Sequence, residues 1–161
     1  MSLNKGDIME ERNYGINWIG LFIKVIVFQL ADKEYAIPVS YVRGIEKLMH
    51  ITRVPKTPRY VKGVINLRGV VTPIIDLRER FGLIASENED NVRIIIIQLE
   101  DMEVGFVVDS ANDVLDIQST SIEQQPTVVG SLEEEFISGV AKLDKRLLIL
   151  LHLNKVLNPL G

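Results

Sequence analysis

The chain has 161 residues, no cysteine and a net charge of −4. This length corresponds to one domain or two small subdomains, and it excludes a kinase or a multidomain sensor. The absence of cysteine excludes disulfide scaffolds, thiolate metal centres and cysteine nucleophiles. Hydrophobic residues make up 47% of the chain, which excludes disorder for most of it.

The charges are segregated along the chain. Residues 43–80 carry nine basic and three acidic residues, a net charge of +6, whereas residues 84–136 carry thirteen acidic residues and one basic residue, a net charge of −12. This pattern is typical either of solvated rims of β-structure or of two docking faces of opposite charge. The overall negative charge argues against general binding of polyanions.

The chain begins with an N-terminal extension, residues 1–23, which we predict to be partly mobile. The apolar stretch at 16–30 is interrupted by polar residues and is too short for a membrane span. Beyond it, short runs rich in Val and Ile, closed by Gly, Pro, Asp or Asn, predict strands. The predicted strands are 24–30, 34–38, 63–67, 70–75, 92–99, 103–108, 114–117, 136–142 and 146–152. Tight turns at 31–33, 68–69, 100–101 and 143–145 are predicted to join several of them into hairpins.

Three short helices are predicted between these strands. In 40–49 the apolar residues Val42 and Ile45 lie three apart, and Ser40 is available as an N-cap. The second helix is predicted at 76–81, with Asp76 as its N-cap, and the third at 152–157.

The runs at 94–97 and 147–151 are apolar on both strand faces, which predicts strands held between two packed layers. We therefore predict a mainly β fold of two small barrels that share an interface. The polar loop 85–91 predicts the internal boundary, with a first barrel at 24–84 and a second barrel with a C-terminal helix at 92–161. No strict internal sequence repeat is evident.

The residues required for common enzyme chemistry are missing. The two histidines, His50 and His152, lie far apart without a surrounding motif. The chain contains neither Gly-x-Ser-x-Gly nor a glycine-rich phosphate loop. We therefore predict a protein that is not an enzyme and that uses no metal or cofactor.

The segment GVINLRGVVTPIIDLR, residues 63–78, is the most informative part of the sequence. It predicts two strands joined at a tight bend, where Gly69 takes a positive φ and Arg68 points outward. An arginine held in this way suits a carboxylate of a partner. A solvated charge at the tip of a hairpin is the alternative.

This segment resembles the central motif of the CheW-like family, the coupling proteins of bacterial chemotaxis. Three further segments match in order and spacing: VFQLADKEYAIPVSYVRGIE at 27–46, VGFVVDSANDVLDI at 104–117 and FISGVAKLDKRLLILLHLNKVL at 136–157. The resemblance extends over residues 25–157. The related kinase CheA and the CheV proteins contain additional domains, so a chain of this length is most similar to the stand-alone adaptor.

The resemblance implies two packed five-stranded SH3-like barrels and a function without catalysis. It implies an adaptor that links the cytoplasmic tips of methyl-accepting chemotaxis receptors to the regulatory domain of the histidine kinase CheA. It also implies a cytoplasmic location, with recruitment to receptor clusters at the inner face of the membrane through protein contacts rather than insertion.

The resemblance assigns roles to individual residues. Val42 and Ile45 match apolar positions that line a receptor-binding groove between the barrels, and Arg68 matches the motif arginine near the receptor. Gly63, Asn66 and Gly69 match residues that set the geometry of the same hairpin.

A separate face of the second barrel, between Val104 and Ile117, is the expected contact for CheA. Family members often carry an acidic residue where this chain has Gly44, and another where it has Pro38. If that acid pairs with the arginine at position 68, Glu46 is a possible substitute here. The alternative is that Arg68 is free for the receptor.

Two other functions fit the composition less well. A small β-barrel could bind nucleic acid through the basic segment 43–80, but the chain is acidic and only 6% aromatic. A small hydrolase would need a nucleophile that the sequence does not provide.

Overall fold

The computed structural model describes residues 22–84, 90–124 and 135–158. Within these ranges the chain forms eleven β-strands, two short α-helices, α1 (Leu77–Arg80) and α2 (Leu153–Leu157), and 3-10 helices at Val39–Tyr41 and Ser119–Ser121. The strands are β1 (Phe22–Leu30), β2 (Lys33–Pro38), β3 (Val42–Lys47), β4 (Val61–Leu67), β5 (Val70–Asp76), β6 (Arg93–Leu99), β7 (Met102–Val108), β8 (Ser110–Gln118), β9 (Ile122–Gln124), β10 (Ile137–Leu143) and β11 (Arg146–Leu151).

All nine predicted strands are present, and so are the four predicted turns and the helices predicted at 76–81 and 152–157. Asp76 caps α1 as predicted, because its carboxylate accepts hydrogen bonds from the backbone of Arg78 and Glu79. The predicted extension 1–23 ends earlier than expected, since its last two residues already belong to β1. Residues 1–21 lie outside the described ranges.

The helix predicted at 40–49 is wrong, because β3 occupies most of this segment. Val42 pairs with Ile97 and Gly44 with Ile96, so Arg43 is an extra residue in a β-bulge. A bulge places residues three apart on one face of a strand. Val42 and Ile45 therefore show helical spacing within a strand.

The strands form two sheets, which are the two SH3-like barrels of the fold. Barrel 1 has the strand order β9-β10-β11-β2-β1-β8, and barrel 2 has the order β3-β6-β7-β5-β4. A 3-10 helix at Ser119–Ser121 joins β8 to β9, so these two act as one bent strand that pairs at both ends of the barrel 1 sheet. In barrel 2, Thr52 follows β3 and forms an antiparallel bridge to Val64 of β4. Counted in this way, each barrel has five strands.

The barrels do not correspond to the predicted halves 24–84 and 92–161. Barrel 1 combines β1 and β2 with β8–β11, and barrel 2 combines β3–β5 with β6 and β7. The segment 85–91, of which 85–89 lie outside the described residues, instead separates two repeats of the same strand arrangement, β1–β5 with α1 and β6–β11 with α2. Each repeat gives its first hairpin to the barrel of the other repeat. Composition marks an exposed connection, but long-range pairing decides which barrel a strand joins.

The strand register shows that the two repeats are equivalent residue by residue. Residues 25–46 correspond to 94–115, and residues 60–77 correspond to 136–153. The side-chain amides of Gln29 and Gln98, which are equivalent, each donate to the carbonyl two residues later. The backbone amides of Asp76 and His152 likewise donate to the carbonyls of the equivalent residues 60 and 136.

Three apolar clusters fill the molecule. One lies inside barrel 1, one inside barrel 2, and the largest lies between the barrels. Ile94 and Ile96 of β6 point into barrel 2, whereas Ile95 and Ile97 point into the shared core. The strands that are apolar on both faces are thus packed between two layers, as predicted from the sequence.

The segment 77–81 of repeat 1 reaches from barrel 2 into barrel 1. Phe81 is 2% exposed, and its ring centroid lies 5.8 Å from that of Tyr35 and 5.3 Å from that of Phe136. The guanidinium of Arg80 lies 4.7 Å from the Phe136 ring and donates a hydrogen bond of 2.9 Å to the carbonyl of Val156 in α2. These contacts hold the two barrels in one arrangement.

Candidate partner-binding groove

Val42 and Ile45 lie on the face of β3 that points toward the shared core. Each pairs with a residue of that core, Val42 with Ile97 and Ile45 with Ile95. Val42 packs against the core and is partly buried, whereas Ile45 is 40% exposed. The core therefore continues to the surface along β3 and forms an apolar wall on barrel 2.

The equivalent strand of barrel 1, β8, provides a second apolar wall. Ala111 and Val114 are the counterparts of Val42 and Ile45 in the repeat, and Val114 is 54% exposed. Val114 pairs with Ile26 of β1, and the 3-10 helix Val39–Tyr41 contacts both β1 and β6 where the chain passes between the barrels. The two barrels thus present exposed apolar residues at equivalent positions of β3 and β8, Ile45 and Val114, and the groove between them stays a prediction.

Sequence analysis missed the second wall of the groove. Val114 lies within the segment between Val104 and Ile117 that we expected to contact CheA. The β7 part of that segment is buried, with Val104, Phe106 and Val108 at most 1% exposed. These three residues therefore offer no surface to a partner. The internal repeat was the signal that would have identified Val114, because it aligns with Ile45.

Arg68 lies on a different element, at the tip of the hairpin formed by β4 and β5. Its φ is 52° and that of Gly69 is 83°, and the side-chain oxygen of Asn66 accepts a 3.0 Å hydrogen bond from the amide of Gly69. Among the described residues, Arg68 forms no ion pair or side-chain hydrogen bond, so Glu46 does not pair with it. Its guanidinium is exposed and held at a fixed turn.

Gly63 allows the backbone of β4 to approach the closing segment of barrel 2. Its φ is +145°, and a Cβ placed on it would lie 2.1 Å from the carbonyl oxygen of Thr52. A side chain cannot fit there without opening the bridge between Thr52 and Val64. Gly63 and Asn66 therefore shape the hairpin that carries Arg68.

The basic residues of 43–80 divide into two groups. Arg78 and Arg80 are held in contacts between the barrels. The other seven are exposed on barrel 2, and the ion pairs of Arg59 with Glu79 and of Lys62 with Asp76 are long, at 3.6 and 3.7 Å. These seven are Arg43, Lys47, Arg53, Lys56, Arg59, Lys62 and Arg68.

In barrel 1, the charge of Arg146 is neutralised by two acidic residues of the same barrel. Arg146 donates to both carboxylate oxygens of Glu34, at 3.0 and 2.9 Å, and to Asp113 at 3.0 Å. The hydrogen bonds to Glu34 and then Asp113 raise the pKa of the Arg146 guanidinium above its ordinary value. These three residues link β2, β8 and β11 of barrel 1.

The described residues contain no group of three or more His, Asp or Glu side chains that could hold a metal ion. No helix in the described ranges is long and apolar enough to cross a membrane.

Two SH3-like barrels that share a core and exchange a hairpin define this chain as a double-barrel domain. The family model of the CheW-like domain matches residues 24–160. The chain belongs to the CheW-like family.

Curated relatives carry the family name. The chemotaxis protein CheW of Bacillus subtilis is 48% identical over 135 residues, which cover 84% of this chain and 86% of the relative. The chemotaxis protein CheW of Klebsiella aerogenes is 36% identical over 133 residues, covering 83% and 80%. The crystal structure of the scaffolding protein TtCheW from Thermoanaerobacter tengcongensis superimposes with a TM-score of 0.79 at 34% identity, covering 84% of this chain and 92% of that one.

Proposed function

We propose that this chain is a non-catalytic adaptor that couples the cytoplasmic tips of methyl-accepting chemotaxis receptors to the regulatory domain of CheA. The observation that carries the proposal is the exposure of two apolar residues, Ile45 and Val114, at equivalent positions of the two barrels in a chain of the CheW-like family. A groove between these residues suits the apolar face of a receptor helix. Recruitment to receptor clusters at the inner face of the membrane then follows from protein contacts alone.

Arg68 is proposed to select the receptor rather than to supply most of the affinity. The turn with two residues at positive φ already fixes the backbone that carries the exposed guanidinium, so only the side chain has to be ordered on binding. A rim charge of this kind mainly affects orientation and the rate of association.

CheA needs a face of its own if both partners are to bind together. The buried residues of β7 remove the first part of the segment that we expected from the sequence, and Val114, in its second part, is assigned to the receptor. We place the proposed CheA face on β5 instead, where the adjacent residues Val70 and Val71 are 48% and 64% exposed. Two separate faces allow each bound partner to raise the local concentration of the other.

The test is an NMR titration of the isotope-labelled chain with a receptor-tip hairpin, and then with the regulatory domain of CheA. We expect the receptor tip to shift the amide resonances around Val42, Ile45 and Val114, and CheA to shift those of β5. Ile45→Asp and Val114→Asp should weaken receptor binding without affecting CheA. Val71→Asp is the matched control and should do the reverse. If neither partner shifts any resonance at high concentration, the adaptor function is wrong.

The exposed cations of barrel 2 favour nucleic-acid binding as a second candidate function. The nearest ring, that of Tyr60, is already covered by the guanidinium of Arg80 at 4.3 Å and does not offer a stacking platform. Micromolar, salt-sensitive gel shifts at low ionic strength would support this candidate against the adaptor.

A further inference from the structure

One side of the molecule contains a pocket that is filled by an arginine of the chain itself. The guanidinium of Arg78 donates to both carboxylate oxygens of Asp109, with the bond from Nε 2.8 Å long. It also donates to the carbonyl of Ile84, and Asp109 in turn accepts a 2.8 Å hydrogen bond from the amide of Ala31. Arg78 and Asp109 are only 17% and 20% exposed. The arginine thus ties α1 to the turn between β1 and β2.

The internal repeat provides the same position a second time, with other residues. Asn154 of α2 corresponds to Arg78, and Ser40 corresponds to Asp109. The turn Glu100-Asp101 corresponds to the turn Ala31-Asp32, and Glu100 and Ala31 share a φ of 56°. The asparagine is shorter than an arginine and the serine carries no charge. The second position therefore keeps the geometry of the first without its filling side chain.

A cleft lies at this second position among the described residues. It has a volume of about 620 Å³ and lies between α2 and the turn that joins β6 to β7. Leu99 and Asn154 line it and also line a smaller adjoining cavity of about 110 Å³, which Tyr41 and Ser138 border. Two adjoining cavities thus lie in repeat 2 at the position that Arg78 and Asp109 fill in repeat 1.

The walls of the cleft suit a cation with a flat, partly apolar body. Glu100 and Asp101 line one wall and Lys155 the other, so the acidic residues outnumber the basic one. The partly exposed Leu99 and Met102 give the cleft apolar surface for an aliphatic stem. A guanidinium offers a carboxylate two parallel N–H donors in a rigid planar fork, a geometry that an ammonium does not have.

We propose that this cleft binds the guanidinium of an arginine side chain presented by a partner protein. The partner's arginine occupies the position that Arg78 fills in the other repeat, with Glu100 and Asp101 in place of Asp109. None of the residues assigned to the walls on β3 and β8 lines the cleft, and the proposal does not depend on the adaptor function.

The experiment uses N-acetyl-arginine amide as the probe and N-acetyl-citrulline amide, its neutral isostere, as the control. Amide resonances of the labelled full chain are followed to a probe concentration of about 100 mM. We expect saturable shifts confined to residues 99–102 and 153–158 with the arginine compound, and at least tenfold weaker binding of the citrulline compound. The absence of saturable shifts, shifts elsewhere, or equal binding of the two compounds would overturn the proposal.

Two variants test whether the repeat explains the cleft. The double variant Ser40→Asp with Asn154→Arg rebuilds the Arg78 and Asp109 pair at the second position. It should raise the melting temperature above that of either single variant and abolish probe binding. Asn154→Ala is the matched control and should keep binding within twofold.

Glu100→Gln with Asp101→Asn provides an independent test on an exposed turn, in case the rebuilt pair prevents folding. This variant should weaken binding of the arginine compound at least fivefold without changing that of the citrulline compound. Unchanged binding of the arginine compound would overturn the proposal.

Discussion

The two barrels carry different residues at equivalent strand positions, and these residues make different contacts. Barrel 1 closes its end with Arg146, Glu34 and Asp113, which form one hydrogen-bonded group. The equivalent residues of barrel 2 are Val70, Glu103 and Gly44. There the glutamate accepts only a 3.4 Å hydrogen bond from the hydroxyl of Thr72, and the valine is 48% exposed.

This difference shows how one strand arrangement supports two roles. With the arginine and the aspartate present, the polar groups satisfy one another and the end of the barrel is closed. With valine and glycine in their places, barrel 2 presents apolar surface and the unpaired guanidinium of Arg68 to its surroundings. We infer that barrel 1 chiefly supports the fold and that barrel 2 offers more of the surface for contacts with partner proteins.

Among the variants that test this comparison, we expect the largest loss of stability at the two glycines where strands of each barrel approach most closely. Gly63 and Gly139 are equivalent, and a Cβ on them would lie 2.1 Å from the Thr52 carbonyl oxygen and 2.8 Å from that of Glu123. Only Gly63 has a positive φ, +145°. Gly63→Ala should therefore cost more than about 3 kcal/mol of unfolding free energy, and Gly139→Ala about 1–3 kcal/mol, by urea denaturation.

Gly44→Ala is the control for this series, because its Cβ would meet only Glu46 at an ordinary 3.5 Å. It should change the unfolding free energy by no more than about 1 kcal/mol. Equal losses in all three variants would show that the close approach to the backbone is not the cause.

The next largest effect is expected from the arginine that only one repeat possesses. Arg78→Ala leaves the mostly buried carboxylate of Asp109 without its partner and should cost about 2–3 kcal/mol. The equivalent exposed residue, Asn154, should tolerate alanine within about 0.5 kcal/mol. Chemical denaturation of both variants measures the difference, and similar losses would contradict the unequal roles of α1 and α2.

A smaller effect is expected at the closed end of barrel 1. Arg146 and its partners are 34–39% exposed, so solvent screens their ion pairs and Arg146→Met should cost about 1 kcal/mol. Lys145→Met, on the neighbouring exposed residue, is the control and should be nearly neutral.

The hydrogen-bonded group of Arg146, Glu34 and Asp113 can be rebuilt in barrel 2 to test whether the two barrels are equivalent there. Val70→Arg with Gly44→Asp, together with the native Glu103, should stabilise the chain by up to about 1 kcal/mol more than the two single changes combined. A double-mutant cycle measures this coupling. No coupling would mean that the ends of the barrels are less alike than their strand registers indicate.

The smallest effect is a dependence of stability on pH at His152. Burial, and then the nearby Lys155, lower the pKa of His152 below its ordinary value of 6.5. The unfolded chain then binds the proton more readily, so stability is full above pH 6.5 and is lost as the pH falls toward the pKa of the folded state. His152→Gln should remove this slope from thermal melts taken at a series of pH values. His50→Gln, at an exposed position, should leave it unchanged.

The local elements could be predicted from the sequence because their signals are local. Alternating apolar residues and tight turns identified nine strands, and Asp76 identified the start of α1. β3 was missed because the bulge at Arg43 gives Val42 and Ile45 the spacing of a helix. The short strand β9 has only three residues and no pattern of its own.

The arrangement of the barrels could not be predicted, because it depends on pairing between distant segments. β2 and β11 pair in parallel although more than a hundred residues separate them. The repeat is hidden in the sequence because its halves share few residues, as YVKGVINL at 60–67 and FISGVAKL at 136–143 illustrate. Without it, neither the groove wall at Val114 nor the cleft beside Asn154 could be located.

The exchanged hairpin also sets an order of events during synthesis. Of the described strands, β1 and β2 are the first to leave the ribosome, but the strands that complete their barrel are among the last, β8–β11. Barrel 2 needs nothing beyond residue 108 and can close while the rest of the chain is still being made. The first hairpin must wait, with Val25, Val27 and Ala36 uncovered, until the final third of the chain emerges.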